Sequence, residues 1–247
     1  MDPVAFNIFG IDVMWYGIII SIGVILGTAV AMKGAKREGV KEDIVLDLLI
    51  VAIPMAIVGA RIYYVAFSWD SYAGDIKSIL NIREGGLAIH GGLIAATITA
   101  YIFCRVKKLK FWKIADIMAP GIVLGQAIGR WGNYVNQEAH GGPTDLPWAI
   151  TVDGVGVHPT FLYESIWNLG VLGLLLYYRK KGKAFEGEIF LMYIALYSLG
   201  RLFIEGLRTD SLMFGGIRVA QLLSASVIIV ALYFIYRNRK LAKAKGK

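Results

Sequence analysis

The stretch VMWYGIIISIGVILGTAVAM, residues 13–32, contains no charged side chain and is followed at once by the basic stretch KGAKREGVK, residues 33–41. A hydrocarbon layer about 30 Å thick is crossed by roughly 20 apolar residues in an α-helix, so this stretch is predicted to span a membrane. It has no basic leading region and no small-residue cleavage motif, and it is longer than the core of a signal peptide. We therefore expect it to remain in the protein as the first span.

The same pattern recurs along the chain. Hydrophobic residues make up 57% and charged residues 18% of the sequence, and the mean hydropathy is +0.59, which is far from the composition of soluble proteins. We predict an all-α integral membrane protein, a single domain over residues 1–247, because no linker or low-complexity segment divides the chain. Seven spans are expected, at 13–32, 44–67, 87–103, 114–128, 161–178, 189–204 and 219–236. The third, fourth and sixth are short, which suggests helices that break or stop inside the protein.

Lysine and arginine are distributed unevenly between the loops. Of the 26 basic residues, 19 lie in 33–41, 105–113, 179–183 and 237–247, after the odd-numbered spans, whereas 131–162 contains none. Basic flanks are retained in the cytoplasm. The sequence therefore predicts a cytoplasmic C-terminus, an external N-terminus, and external loops after the second, fourth and sixth spans, where a functional site is expected.

The composition also excludes some functions. A net charge of +8 would suit nucleic acid only on a soluble basic face, and here the charges punctuate apolar runs. Cys104, the one cysteine, can form no intrachain disulfide and is expected to be a small buried hydrophobe. The three histidines lack metal-binding spacing, and no nucleotide-binding motif occurs, so neither a metal nor a cofactor is predicted.

Three arginines fall within or at the ends of predicted spans: Arg61, Arg130 and Arg201. A charge there costs on the order of 3 kcal/mol by insertion scales, which implies a partner or a ligand.

Arg201 belongs to a stripe of polar residues at helical spacing, with Tyr197, Glu205 and Arg208 on the same face. This stripe indicates either an anion site or an internal Arg201–Glu205 pair that only neutralises a buried charge.

Arg130 lies in the sequence GRWGNYVNQE, residues 129–138, which joins glycines, a guanidinium, amides and a carboxylate. The planar fork of arginine suits bidentate contact with phosphate oxygens, and the glycines would let a head group approach the backbone. The alternative is an interfacial anchor, with Trp131 and Tyr134 in the aromatic belt.

Two histidine motifs flank spans. His90 stands between glycines in GGLAIHGG, residues 85–92, and is either a proton acceptor near neutral pH or a structural imidazole. The segment HPTFLYE, residues 158–164, places a proline and Glu164 where a helix begins, and we interpret it as mainly structural.

Together, these four segments resemble the bacterial prolipoprotein diacylglyceryl transferases, in the same order and across nearly the whole chain. The stretch 129–138 matches that family's signature G-R-x-G-N-[FY]-x-N-x-E, with Tyr134 where phenylalanine is frequent. The resemblance implies an enzyme of the bacterial plasma membrane. It would transfer the sn-1,2-diacylglyceryl group of phosphatidylglycerol to the lipobox cysteine of a prolipoprotein signal peptide, forming a thioether and releasing glycerol 1-phosphate.

The resemblance also implies roles for individual residues. Arg130 would contact phosphatidylglycerol, Asn133 and Glu138 would shape its pocket, and Arg201, oriented by Glu205, would be a second cation over the phosphate. His90 would be the general base on the thiol. The remaining substrate-binding residues implied are Tyr16, Gly91, Tyr197 and Arg208.

Two other classes remain possible from the sequence. A transporter of an anionic lipid or solute also uses buried arginines, although the chain shows no convincing internal repeat of its HGG or GRxGN segments. A non-catalytic assembly subunit would not need a histidine and two arginines converging from three spans.

Overall fold

The structure is a computed structural model that describes residues 2–82 and 85–245. The helices in this part of the chain are α1 (Trp15–Arg37), α2 (Asp43–Phe67), α3 (Ile76–Leu80), α4 (Ile89–Val106), α5 (Phe111–Val135), α6 (Thr160–Lys181), α7 (Glu188–Ile204) and α8 (Val219–Lys245). Short 3₁₀ turns follow at Trp69–Ser71 and Glu205–Leu207. The strands form three antiparallel hairpins: β1 (Val4–Ile8) with β2 (Ile11–Met14), β3 (Ile150–Val152) with β4 (Val155–Val157), and β5 (Met213–Phe214) with β6 (Ile217–Arg218).

Six helices of the described chain are long and apolar enough to cross a membrane: α1, α2, α4, α5, α7 with its 3₁₀ turn, and α8. This supports an all-α, multi-pass membrane protein. The expected fifth span corresponds to α6, which has 22 residues but lies outside that set. Its first half carries the buried polar residues Glu164 and Asn168, which lower its hydropathy.

The prediction that the fourth span is short is wrong. The helix α5 runs for 25 residues, from Phe111 to Val135. Polar residues at its two ends lower the hydropathy there, so a hydropathy profile underestimates the length of the helix. In the folded protein these residues have hydrogen-bond or ion-pair partners. Asp116 is 1% exposed and accepts hydrogen bonds from the backbone N–H groups of Gly187 and Phe190 at 2.8 and 2.9 Å, at the start of α7. The third and sixth spans are shorter, with 18 residues in α4 and 17 in α7, although α4 and α7 with its 3₁₀ turn are each long enough to cross a membrane.

The contacts group the chain into two compact units, which we call the large unit (residues through Gly34 and from Ala115 onward) and the small unit (Ala35–Ile114). In the large unit, the core around α5, α6 and α7 contains Ala119, Val123, Val171, Leu175, Ile189 and Tyr193. Glycines let α1 approach α5 closely, because a Cβ on Gly27 would lie 2.6 Å from the carbonyl oxygen of Gly121. Small residues on the two helices thus form the surface through which α1 and α5 pack.

In the small unit, α2 packs along α4. Arg61 of α2 is 7% exposed, and its guanidinium donates hydrogen bonds to five backbone carbonyls, those of Ser78, Ile79, Asn81, Gly85 and Gly86, at 2.6–3.0 Å. The partner that this intramembrane charge demanded is therefore the backbone of the segment before α4, and Arg61 has a structural role.

Candidate active site

Arg130 is held by the last turns of α5, which are fastened to α6. The indole Nε1 of Trp131 donates to Ser165 Oγ at 3.2 Å, and Ser165 Oγ donates to the carbonyl of Ala127 at 2.9 Å. The hydroxyl of Thr160, at the start of α6, donates to the carbonyl of Ala139 at 2.5 Å. These bonds fix the end of α5 against the first turn of α6, where Glu164 lies.

Three arginines converge on the carboxylate of Glu164, which is 4% exposed. Nη2 of Arg130 lies 2.7 Å from Oε2, Nη1 of Arg201 lies 3.7 Å from the same oxygen, and Nη1 of Arg208 lies 3.6 Å from Oε1. We call Arg130, Glu164, Arg201, Glu205 and Arg208 the arginine cluster.

The end of α7 supplies the rest of the cluster. Arg201 pairs with Glu205 at 2.6 Å (Nη2 to Oε2), and Glu205 Oε1 accepts a hydrogen bond from Ser211 Oγ at 2.9 Å. The internal Arg201–Glu205 pair considered from the sequence is thus present, but it is one part of a larger arrangement.

Beyond the span, Arg208 makes a two-pronged contact with Asp210, from Nε to Oδ1 at 2.9 Å and from Nη2 to Oδ2 at 2.7 Å. The side-chain hydrogen bonds from Arg208 lower the pKa of the Asp210 carboxyl below its ordinary value. Burial works to lower the pKa of Arg208, but the bonds and charge of Asp210 outweigh it and raise that pKa. The pair therefore stays ionised at physiological pH, and Arg208 is fixed at the rim of the cluster.

Three guanidiniums meet two buried carboxylates, those of Glu164 and Glu205, and the half-exposed carboxylate of Asp210 at the rim, so the formal charges balance when Asp210 is counted. The side chains of Arg130, Arg201 and Arg208 are 19%, 22% and 12% exposed, so each is partly reachable from outside. A partly buried cluster that presents three guanidiniums with forked donors suits a phosphate group.

Asn133 and Glu138 lie where the chain leaves α5. Asn133 Nδ2 donates to Glu138 Oε1 at 2.9 Å, and Asn136 Nδ2 donates to the same oxygen at 3.4 Å. Gln137 and Ala139 adopt positive φ angles of 53° and 56°, which turn the chain sharply around Glu138. The two predicted pocket residues are therefore in direct contact with each other.

Two tyrosines predicted at the site lie against α5. Tyr197 is in contact with Arg130, whose Nη2 donates to the tyrosine hydroxyl at 3.4 Å. Tyr16 packs on Gly132, where a Cβ would lie 2.6 Å from Cδ2 of the tyrosine ring. Glycine at 132 is thus required for this contact.

His90 and Gly91 belong to the small unit. His90 is exposed in the first turn of α4, with its ring 6.4 Å from that of Tyr63. Gly91 is buried, and a Cβ there would collide with Tyr63 Cβ and the carbonyl oxygen of Gly59. The glycine after the histidine therefore sets the close approach of α4 to α2.

Glu164 is the residue that the sequence interpretation missed. The segment 158–164 is structural as expected at His158 and Tyr163, where Tyr163 Oη accepts a hydrogen bond from Trp148 Nε1 at 2.9 Å and contacts His158 Nδ1 at 3.3 Å. At Glu164 the same segment supplies the carboxylate on which three arginines converge. The sequence did contain an indication of this: Glu164 lies inside a predicted span, and a carboxylate there requires a cationic partner just as an arginine requires an anionic one.

Among the described residues, no three His, Cys, Asp or Glu side chains are grouped as a metal site would require.

Comparisons with known proteins show the family to which the sequence is similar. The family model for prolipoprotein diacylglyceryl transferase matches residues 3–237. Proteins named phosphatidylglycerol–prolipoprotein diacylglyceryl transferase are similar to this chain. The one from Finegoldia magna is 57% identical over 240 residues, covering 97% of each protein, and the one from Clostridioides difficile is 56% identical over 241 residues, again 97% of each. The one from Bacillus mycoides is 47% identical over 256 residues, covering 99% of this chain and 94% of the relative.

Proposed function

The chain belongs to the prolipoprotein diacylglyceryl transferase family, and from this premise we infer that it transfers a diacylglyceryl group from phosphatidylglycerol to a prolipoprotein. The observation that carries the assignment to a site is the convergence of Arg130, Arg201 and Arg208 on Glu164. In the proposed reaction the sulfur of the lipobox cysteine bonds to the carbon of the diacylated glycerol that is attached to the phosphate oxygen. The carbon–oxygen bond breaks, and glycerol 1-phosphate leaves with the bonding electrons.

The arginine cluster would bind and stabilise the phosphate. A phosphodiester carries one negative charge, and the departing monoester develops a second as the carbon–oxygen bond breaks. Guanidiniums already in place stabilise the developing charge without reorganisation, which is the largest single contribution in many enzymes. We assign Arg130 and Arg201 to direct phosphate contact, and Arg208 to the same anion from the rim.

Glu164 and Glu205 act as positioning residues. Each holds a guanidinium in one rotamer, through the 2.7 Å contact to Arg130 and the 2.6 Å contact to Arg201. Arginine side chains lose considerable rotamer freedom when fixed, and the carboxylates impose that loss before the lipid arrives. Asn133 with Glu138, together with Tyr16 and Tyr197, would line the head-group pocket through amide and hydroxyl hydrogen bonds.

His90 is proposed as the general base. A free thiol with a pKa of about 8.5 is mostly protonated at neutral pH, so transfer needs a proton acceptor. Imidazole is the side chain suited to that task near neutrality. Gly91 would place His90 by fixing how α4 meets α2.

We propose seven spans, with α6 as the fifth, an external N-terminus and a cytoplasmic C-terminus. The 19 basic residues after the odd-numbered spans support this orientation. The end of α5 and the start of α6 would then lie toward the outer leaflet of the bacterial plasma membrane, where the lipobox of an exported signal peptide is presented. Residues 1–247 would act as one transferase domain, since α1 and α5 each contribute residues to both units.

The test is reconstitution. Purified protein in detergent, given phosphatidylglycerol and a lipobox peptide, should release glycerol phosphate and increase the peptide mass by one diacylglyceryl group. A cysteine-to-serine peptide should bind without gaining mass, because a serine hydroxyl is not ionised under conditions in which a thiol can be. Absence of both products from a folded preparation would contradict the transferase assignment.

A further inference from the structure

The hairpin of β3 and β4 leaves one strand edge open. Both hydrogen-bonding edges of β4 are paired: β3 pairs with one edge, and residues 142–144 pair with the other. Thr144 N donates to Gly156 O at 2.9 Å, and His158 N donates to Gly142 O at 3.0 Å. β3 is therefore an edge strand within the part of the chain that the structure describes.

The turn of the hairpin determines which backbone groups of β3 point outward. Asp153 and Gly154 have φ angles of 50° and 80°, as in a two-residue type I′ turn. In such a hairpin the flanking pair, Val152 and Val155, exchanges hydrogen bonds, and the next pair, Thr151 and Gly156, does not. The N–H and C=O of Thr151 thus face away from β4. The bond from Thr144 to Gly156 agrees with this alternation, because Gly156 also points away from β3.

A cavity of about 330 Å³ lies beside this edge, lined by Tyr134, Gln137 and the stretch 149–152. Tyr134 is one helical turn beyond Arg130 on α5, a rise of roughly 6 Å along the helix axis. The cavity is therefore close to the arginine cluster, on the side where the chain leaves α5.

We propose that this edge and cavity bind the extended segment of the prolipoprotein next to its reactive cysteine, as an added strand paired with Thr151. The inference rests on the proposed function. A peptide whose thiol reaches the arginine cluster has its neighbouring residues within a few strand rises of about 3.3 Å each. Strand addition gives main-chain hydrogen bonds, which do not depend on side chains, so the subsite accepts peptides of different sequence.

The first experiment uses the full-length enzyme with phosphatidylglycerol and two lipobox peptides, one ending at the cysteine and one continuing for several residues beyond it. The wild-type enzyme should show a lower KM for the long peptide. Thr151→Pro removes the outward N–H at an edge position where proline is tolerated. It should raise the ratio of long-peptide to short-peptide KM about two- to tenfold, the loss of one hydrogen bond. Thr151→Ala keeps the N–H and should preserve the wild-type ratio. Equal KM values for the two peptides on the wild-type enzyme would overturn the inference.

The second experiment needs no protein variant. Single N-methyl groups are placed along the long peptide, and an added strand predicts that KM rises at alternate positions only. An equal rise of KM at every position, or no rise at any, contradicts strand addition. Dimerisation of the protein through β3 would also contradict it if the long peptide did not disrupt the dimer. Turnover with unchanged KM values would refute this inference alone, whereas no product from either peptide would refute the proposed function itself.

Discussion

At Glu164, a single buried carboxylate is shared by arginines from three parts of the chain, α5, α7 and the segment after the 3₁₀ turn. The free energy of such a cluster is not the sum of its pairs, because each charge has been removed from water and depends on the others. If one charged side chain is removed, the buried charges that remain keep their desolvation cost and lose part of the attraction that offset it.

The first residue-scale prediction concerns Arg130. Arg130→Ala should lower kcat/KM by at least about 100-fold, the loss expected when a donor to a developing anion is removed, while a folded protein is still recovered. Turnover is measured as glycerol phosphate release. Lys180→Ala, which removes an exposed cation in the last turn of α6, is the matched control and should remain near wild type. If Arg130 were only an interfacial anchor, the alanine variant would keep its activity and change its membrane insertion.

The second prediction concerns coupling between Glu164 and Arg130. Each single alanine variant should be destabilised, because it leaves a partly or fully buried charge without its partner. The double variant should be less destabilised than the sum, with an interaction free energy of about 1–3 kcal/mol. Thermal unfolding in one detergent measures all four proteins. Strict additivity would mean that the 2.7 Å contact contributes nothing to stability.

At this scale the sequence identified the arginines but not their common partner. Arg130 and Arg201 stand out because a charge in an apolar span is costly, and Arg208 stands out because it continues the polar stripe of Arg201 at helical spacing. Glu164 is also a charge inside an apolar span. Because it follows a proline near the start of a helix, where acidic residues are common, its presence could be explained without a functional role. The convergence arises from packing between α5, α6 and α7, which no local pattern encodes.

At the scale of elements, the helices were well predicted where their apolar runs are uninterrupted, and poorly where buried polar residues lie inside them. The hydropathy of residues 114–128 ends early because Arg130 and Asn133 follow, yet α5 continues to Val135. Tertiary pairing compensates those polar groups, so the helix persists where a hydropathy profile stops. The hairpin of β3 and β4 was not predicted, since its strands have only three residues each.

The element-scale prediction tests the contact between α2 and α4. In Gly91→Ala, the new Cβ meets Tyr63 and the backbone of Gly59, so α4 must move away and carry His90 with it. Overpacking of this kind costs about 1–3 kcal/mol, and we expect a lower melting temperature together with at least about a tenfold loss of kcat. Gly173→Ala in α6, where nothing lies within 4 Å of the new Cβ, is the control. Unchanged kcat in Gly91→Ala would separate this contact from catalysis.

At the scale of the whole molecule, lysine and arginine are distributed unevenly between the two sets of loops. The stretch without lysine or arginine, residues 131–162, contains the end of α5, the hairpin of β3 and β4, and the start of α6. The opposite loops carry most of the basic residues. The sequence alone was enough to propose this orientation, because the rule depends on composition and not on packing.

The whole-molecule prediction tests that orientation with single cysteines. In intact cells, Asp153→Cys in the exposed hairpin turn should react with a membrane-impermeant maleimide, whereas Lys180→Cys should react only after permeabilisation. The native Cys104 is 1% exposed and should stay unlabelled in both proteins. The reverse labelling pattern would place the arginine cluster toward the cytoplasm and contradict the proposed site of action.

The hydrogen bonds of Arg61 have a consequence for biogenesis. All five of its carbonyl partners lie downstream, 17 to 25 residues further along the chain. During synthesis, the guanidinium is delivered to the bilayer before Ser78 and Gly86 can fold back onto it, at an insertion cost on the order of 3 kcal/mol. The charge of Arg61 in the second span is therefore fully compensated only after the 25 residues that follow it have been translated.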